Sequence, residues 1–75
     1  MLKYFTNALE GNASQSLAIN PAHVVTVFEN YITYKDADDN ITELVPVTCI
    51  FTTGNITYNV TDTYLEVVAR LNERD

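Results

Sequence analysis

The chain has 75 residues and a formal net charge of −6, and its four basic residues are Lys3, Lys35, Arg70 and Arg74. Phosphate backbones are bound by clustered Lys and Arg, since counterion release drives that association, so this composition disfavours nucleic-acid binding by a monomer. The single Cys49 excludes an intrachain disulfide, and one histidine adds too few soft ligands for a zinc cluster.

The length predicts one small domain, residues 1–75, whose core needs support. A chain of this size buries only about 60% of the surface that its unfolded form exposes. Domains this small commonly rely on a disulfide, a metal or a partner, so we expect a homo-oligomer. No apolar run approaches the roughly 20 residues of a membrane-spanning helix. The first residues lack the basic region and long apolar stretch of a signal peptide, which predicts a cytoplasmic protein.

The first elements are two short strands separated by a loop. MLKYFT, residues 1–6, predicts a first strand, and the Gly, Asn and Ser of residues 11–14 are typical of a loop. SLAI, residues 16–19, predicts a second strand. Pro21 ends it, because proline has no amide donor and disfavours helical backbone in the residue before it. Asn20 is placed to cap a single helical turn.

A long strand follows over residues 24–34, which are rich in β-branched and aromatic side chains. Strict alternation divides its apolar residues between two faces: Val24, Phe28, Ile32 and Tyr34 lie on one, and Val25, Val27 and Tyr31 on the other. A bulge near residues 29–30 would shift this register. Apolar residues on both faces indicate a strand covered on both sides, and in so short a chain we expect one cover to be another subunit.

A polar loop tip, residues 35–40, leads to the next strand, residues 41–52. Pro46 cannot donate to a sheet ladder, so it predicts an edge, a bulge or a break in that strand. A tight turn follows at Thr53-Gly54 or Gly54-Asn55, since Gly and Asn tolerate a positive φ. Either turn places the same six apolar residues on one face of the hairpin formed by the two strands. That face contains Val47, Cys49, Phe51, Ile56, Tyr58 and Val60.

The chain closes with a predicted helix. Thr61 or Asp62 could cap it, and Thr63 with Glu66 fits a capping box. Its predicted apolar stripe, at three- and four-residue spacing, contains Tyr64, Leu65, Val68 and Leu71. Glu66 and Arg70 are expected to pair on the exposed side. The fold class is therefore predicted as α+β: a small curved antiparallel sheet of four or five strands with one C-terminal helix packed on it.

Two kinds of residue pattern match known functional motifs, for glycosylation and for calcium binding, but each has a simpler non-functional explanation. Four Asn-x-Ser/Thr acceptor patterns, which begin at Asn12, Asn40, Asn55 and Asn59, are taken as chance matches in a cytoplasmic protein. The acidic tip has the opening spacing of a calcium loop, but its sixth and twelfth positions are Ile41 and Val47 instead of Gly and Glu. We interpret it as a solvated hairpin tip, with a weakly bound cation as the alternative.

His23 and Cys49 are the one conceivable base and nucleophile. Cys49 alternates with inward-facing residues, and free cysteine is commonly a small buried hydrophobe. No carboxylate lies near His23 in sequence to orient it. We therefore expect no catalytic residue, no cofactor and no metal.

Three short motifs follow one another between residues 16 and 72: Ile19-Asn20 after an apolar strand, the turn residues 52–54 (TTG), and residues 58–61 (YNVT) before the helix. In this order they resemble the small flagellar proteins of the FlbD type. The chain departs from that family by the long segment from about residue 31 to residue 46. The segments INPAHVVTVFE and YLEVVARLNER are similar to short uncharacterised proteins of marine bacteriophages that infect cyanobacteria. That resemblance implies a virus-encoded accessory protein, and neither resemblance implies a catalytic residue.

The sequence predicts a non-enzymatic interaction module that self-associates. The predicted subunit interface consists of Val25, Val27, Tyr31 and Ile50. The Thr-rich outer face of the sheet and the acidic loop, residues 36–43, are expected to meet a host or phage protein. The alternative is a nucleic-acid-linked regulator, either an oligomeric ring that presents Tyr and Arg side chains to RNA or an acidic mimic of DNA that occupies a DNA-binding partner.

Overall fold

A computed structural model describes residues 1–8 and 15–73 of the chain. In chain order the elements are β1 (Lys3–Thr6), β2 (Ser16–Ile19), a 3-10 turn (Pro21–His23), β3 (Val24–Lys35), β4 (Ile41–Thr52), β5 (Ile56–Val60) and α1 (Tyr64–Leu71). This confirms the α+β class, the antiparallel strands and the C-terminal helix. None of the helices in the described part of the chain has the length and apolar character needed to cross a membrane.

The strands divide between two antiparallel sheets, of two and three strands, so the single sheet of four or five strands that was predicted is not confirmed. β1 pairs with β2, and β3, β4 and β5 form a second sheet in that order. A single bridge between Asn7 and Val60 joins them, supported by a 2.9 Å hydrogen bond from the Ala8 N–H to the Asn59 carbonyl. The chain after β1 therefore lies along the outer edge of β5, which holds the two sheets together.

The core lies on both faces of the three-stranded sheet. The larger cluster, between this sheet, α1 and the β1–β2 pair, consists of Phe5, Ile19, Ile50, Val60 and Val67. A smaller cluster on the opposite face consists of Ala8, Val47 and Cys49, with Ile32 and Val45 packed against it. Both faces of the sheet are thus covered near β5 from within the chain.

The turn between β4 and β5 is one residue longer than predicted. Thr52 pairs with Ile56, so three residues, 53–55, form the loop. Gly54 and Asn55 both adopt positive φ, at 87° and 63°. The extra residue moves β5 by one position against β4, and such a shift exchanges the two faces. The predicted shared face is therefore wrong: Val60 lies opposite Thr48, on the same face as Ile50.

β3 contains a bulge, but at its start and not near residues 29–30. Val24 pairs with Thr52 and Thr26 with Phe51, which leaves Val25 as the extra residue. The bulge turns Val24 to the face of Val27, so the predicted grouping of Val24 with Phe28 is wrong. Both Val24 and Val27 pack against the larger core cluster.

The helix is capped by Thr63 and not by Thr61 or Asp62, and it packs through a different side chain than predicted. Thr63 is the N-cap and forms the capping box with Glu66. Val67 is fully buried, whereas Leu65, which was expected to face the sheet, is 78% exposed. The helical period of 3.6 residues places Val67 and Leu71 on one face and Leu65 on the opposite side.

Candidate functional site: the hairpin arm

The β3–β4 hairpin is much longer than the strand beside it. β5 pairs with β4 from Thr52 to Thr48 and stops there, while β3 and β4 continue to their connecting loop. We call this two-stranded extension, residues 30–47, the hairpin arm. The molecule measures 48 × 22 × 20 Å, and its radius of gyration of 13.4 Å exceeds the roughly 11 Å expected for a compact chain of this length.

Pro46 explains why the third strand ends where the arm begins. Thr61 donates its N–H to the carbonyl of Thr6, so its backbone groups point away from β4. The preceding residue, Val60, points the other way and bonds to Thr48 of β4. Pro46, two residues before Thr48, directs its nitrogen to that same side, beyond the end of β5. Because proline has no N–H, the ladder cannot extend past this point.

The same alternation defines the outer edge of β3. Cys49 is one residue from Thr48, so its backbone groups point to β3, where Phe28 lies opposite. Alternate residues of β3 turn their N–H and C=O groups outward, and these residues are Val27, Glu29, Tyr31 and Thr33. The side chain of Asn30 accepts the Tyr31 N–H at 2.8 Å. No strand within residues 1–8 and 15–73 pairs with this edge.

Large apolar side chains lie exposed on β3 and on the arm. Five of them are between 40% and 64% exposed: Val25, Phe28, Tyr31, Ile41 and Leu44. On the arm face that lies on the helix side of the sheet, Tyr31 pairs with Pro46, and Thr33 pairs with Leu44. On the other face Ile32 and Val45 are half-buried against the smaller core cluster. The helix-side face of the arm is thus the more open apolar surface.

The four predicted interface residues separate into two pairs. Val25 and Tyr31 are exposed on β3, at 58% and 64%. Val27 is half-buried against the larger cluster, and Ile50 is fully buried beneath α1. Ile50 therefore offers no accessible surface in this structure, because the three-residue turn and the helix place it at the centre of the monomer core.

Sequence reasoning missed three exposed apolar residues near the arm, Phe28, Ile41 and Leu44. A signal for them was present in the lengths of the predicted strands. Strands of 11 and 12 residues cannot be covered along their whole length by the five alternating residues 56–60 that follow. The excess length leaves a two-stranded ribbon, and such ribbons are at best marginally stable alone in water.

The described basic side chains each contact a carboxylate. Arg70 contacts Asp62 at 2.6 Å, Lys35 contacts Asp39 at 3.5 Å, and Lys3 lies 3.7 Å from Glu73. Their positive charges are spread over the helix, the tip of the arm and β1. This distribution does not produce the clustered basic surface that a phosphate backbone requires.

His23 and Cys49 have separate environments. His23 is exposed, and its Nδ1 lies 3.1 Å from the Thr53 hydroxyl at the β4–β5 turn. Cys49 is 3% exposed, and its thiol donates to the Asn59 side-chain oxygen at 3.0 Å. Burial raises the pKa of the Cys49 thiol, an effect that a hydrogen bond with Asn30 partly opposes. A buried thiol that keeps its proton is a poor nucleophile.

The acidic tip uses its carboxylate to build the turn. Asp36 Oδ1 accepts the N–H groups of Asp38 and Asn40 at 2.9 and 3.0 Å. Asp39 adopts a positive φ of 65° within this turn. In the described ranges no group of three or more His, Cys, Asp or Glu side chains is arranged to hold a metal ion.

No protein-family model, curated protein or solved structure matches the chain. The resemblances to flagellar and phage proteins therefore rest on short sequence motifs alone.

Proposed function

We propose that this chain is a non-enzymatic interaction module that self-associates through its hairpin arm. The observation that carries this proposal is a two-stranded arm with exposed apolar side chains on a domain of only 75 residues. An isolated ribbon of this kind gains stability when another surface covers it. Exposed contiguous apolar surface on a small protein is typical of an interaction site.

The exposed apolar residues supply part of the association free energy. Full burial of a large apolar side chain contributes about 1.5–3 kcal/mol. Tyr31, Ile41 and Leu44 are each about 60% exposed, so burying them together would contribute several kcal/mol. Association itself costs an estimated 4–15 kcal/mol in lost translational and rotational freedom. Apolar contact alone is therefore marginal, and a stable complex needs backbone or charge pairing in addition.

The rest of the molecule supports a binding role over a catalytic one. Cys49 is buried, which raises the pKa of its thiol, and His23 contacts a turn hydroxyl on another part of the sheet. A free cysteine fits a reducing compartment, so we place the assembly in the cytoplasm. We extend the proposal to an accessory protein of a bacterium or a phage, on the strength of the motif resemblances.

Light scattering on a sizing column, over a concentration series, tests self-association. We expect the wild-type mass to rise above the 8.4 kDa of one chain as concentration increases. Tyr31→Thr, which keeps a strand-favouring residue but removes apolar surface from the β3 side of the arm, should weaken association. Ile56→Thr is the matched control, because Ile56 is 50% exposed on β5, outside the arm. A wild-type monomer at every concentration would overturn the proposal.

A further inference from the structure

We infer that the arm's partner is a second copy of this chain, joined by antiparallel pairing of the two outer β3 edges with Glu29 opposite Lys35 of the other copy. This inference rests on the proposed self-association and specifies its geometry. It follows from two properties of β3: the direction of its backbone groups and the positions of its charges.

The backbone directions limit the registers that two copies can adopt. Glu29, Tyr31 and Thr33 point their N–H and C=O groups to the outer edge. The alternation continues to Lys35, because the register shift between Tyr34 and Lys35 places its extra residue on β4. Two such edges form hydrogen bonds only when outward residues of one copy lie opposite outward residues of the other. A two-fold axis perpendicular to the sheet relates two identical antiparallel strands, so each contact occurs twice.

Charge selects one register from this set. Glu29 and Lys35 are the only residues of β3 that carry a formal charge at neutral pH, and they are six positions apart. With the axis at Ile32, both Glu29–Lys35 pairs form across the interface. With the axis at Glu29, two like charges lie directly opposite, which destabilises a sheet. The contact of Lys35 with Asp39 is a solvated surface pair of small energy, so Lys35 can exchange it for Glu29.

The remaining residues fit this register. Tyr31 lies opposite Thr33 of the second copy, and Ile32 lies opposite itself at the axis. Four residue pairs, each able to exchange two N–H···O bonds, would join the strands. The Asn30 side chain, which holds the Tyr31 N–H at 2.8 Å, would be displaced by a carbonyl of the partner. The two three-stranded sheets then become one continuous sheet, and the two arms support each other.

Charge reversal tests the register in the full chain. Glu29→Lys and Lys35→Glu should each weaken the dimer about tenfold or more, because each turns two attractive pairs into two repulsive ones. The double variant should recover wild-type association. An equimolar mixture of the two single variants should form heterodimers, since every cross-interface pair is then of opposite charge. High salt should reduce these differences.

A disulfide at the axis gives an independent measurement. In a Cys49→Ala background, Ile32→Cys should oxidise to a covalent dimer, because facing residues of a non-hydrogen-bonded pair have Cα atoms about 4.5 Å apart. Tyr34→Cys is the matched control on the same strand face. This register places residue 34 opposite Asn30 of the other copy, so the two introduced thiols are too far apart to form a disulfide. Crosslinking of both variants to the same extent would contradict the register.

The outcomes separate the two proposals. A wild-type oligomer that follows the charge pattern supports both of them. A wild-type oligomer whose mass is unchanged by Glu29→Lys and by Lys35→Glu, and which Ile32→Cys does not crosslink, overturns the β3 pairing and leaves self-association standing. A wild-type monomer overturns both.

Discussion

At the scale of single residues, Asp62 connects three parts of the fold at the junction of β5 and α1. Its side chain is 8% exposed, and its Oδ2 accepts a 2.6 Å hydrogen bond from Arg70 of the helix. Its Oδ1 accepts the Thr6 N–H of β1 at 2.7 Å, and its carbonyl accepts the Thr48 hydroxyl at 2.7 Å. One residue thereby fixes the helix and the small sheet to the large one.

Removing this carboxylate should destabilise the monomer. We expect Asp62→Ala to lower the free energy of unfolding by about 2 kcal/mol, because a partly buried amide and a guanidinium both lose a charged acceptor. Denaturant unfolding measures the difference. Glu66→Gln is the control: it removes the charge of a second carboxylate beside Arg70, in a solvated pair at 3.6 Å, and should change stability by less than about 0.5 kcal/mol. Equal losses for the two variants would show that Asp62 has no special role.

At the scale of elements, the β4–β5 turn sets which residues are buried. Its Gly54 has φ of 87°, a backbone conformation that L side chains rarely adopt, and a Cβ there would meet open space. The effect of a substitution at Gly54 is therefore set by backbone strain and not by a steric clash of the added Cβ with neighbouring atoms.

Gly54→Ala should lower the free energy of unfolding by about 1–2 kcal/mol, the cost of a left-handed conformation for a residue with a Cβ. Asn55→Gly is its control, because Asn already tolerates its φ of 63°, and the change should stay within about 0.5 kcal/mol. Thermal or denaturant unfolding of the two variants makes the comparison. A neutral Gly54→Ala would indicate that the loop can adopt a different turn.

Element types follow from local signals in the sequence, whereas faces depend on single-residue shifts. The Asn20 cap, the Thr63 capping box and the strand around Cys49 are determined within a few residues, and the structure confirms them. The face of Val60 depends on whether the turn has two or three residues, and Thr53-Gly54-Asn55 is compatible with both lengths. A local pattern does not distinguish them, although the choice exchanges every side chain of β5.

The candidate site was less predictable than the fold because it depends on where one strand ends relative to another. β-branched and aromatic residues in β3 correctly predicted a strand, but the cover that was expected on both of its faces is not present in the described monomer, where eight of its twelve residues are exposed. These residue types did not show that α1 covers Ile50 and leaves Tyr31 open, which depends on the position of the helix over the sheet. Pro46 was the most informative local signal, since its missing donor marks where the arm leaves the body.

At the scale of the whole molecule, stability is distributed unevenly. Both core clusters lie around the β4–β5 pairing, and the arm extends from them along the 48 Å axis. A segment with few buried apolar contacts opens locally at lower free energy than the core. The monomer should therefore consist of a stable body and an arm whose order depends on association.

Amide hydrogen exchange at two protein concentrations would reveal this dependence. In dilute monomer the outward N–H groups of Glu29 and Thr33 should exchange rapidly, because they have no strand partner. The N–H of Phe28 points to β4 and should be protected. At concentrations where the mass doubles, the outward amides of β3 should become protected through pairing between copies.

The Leu44 N–H is the internal control for this measurement, because it points to the opposite edge of the arm, on the side where β5 has ended. Under β3 pairing it should stay in fast exchange at both concentrations. Protection of Leu44 without protection of Glu29 and Thr33 would place the partner on the β4 edge and contradict the β3 assignment. If the mass doubles but none of these amides gains protection, neither strand edge is paired, and the arms meet through their side-chain faces.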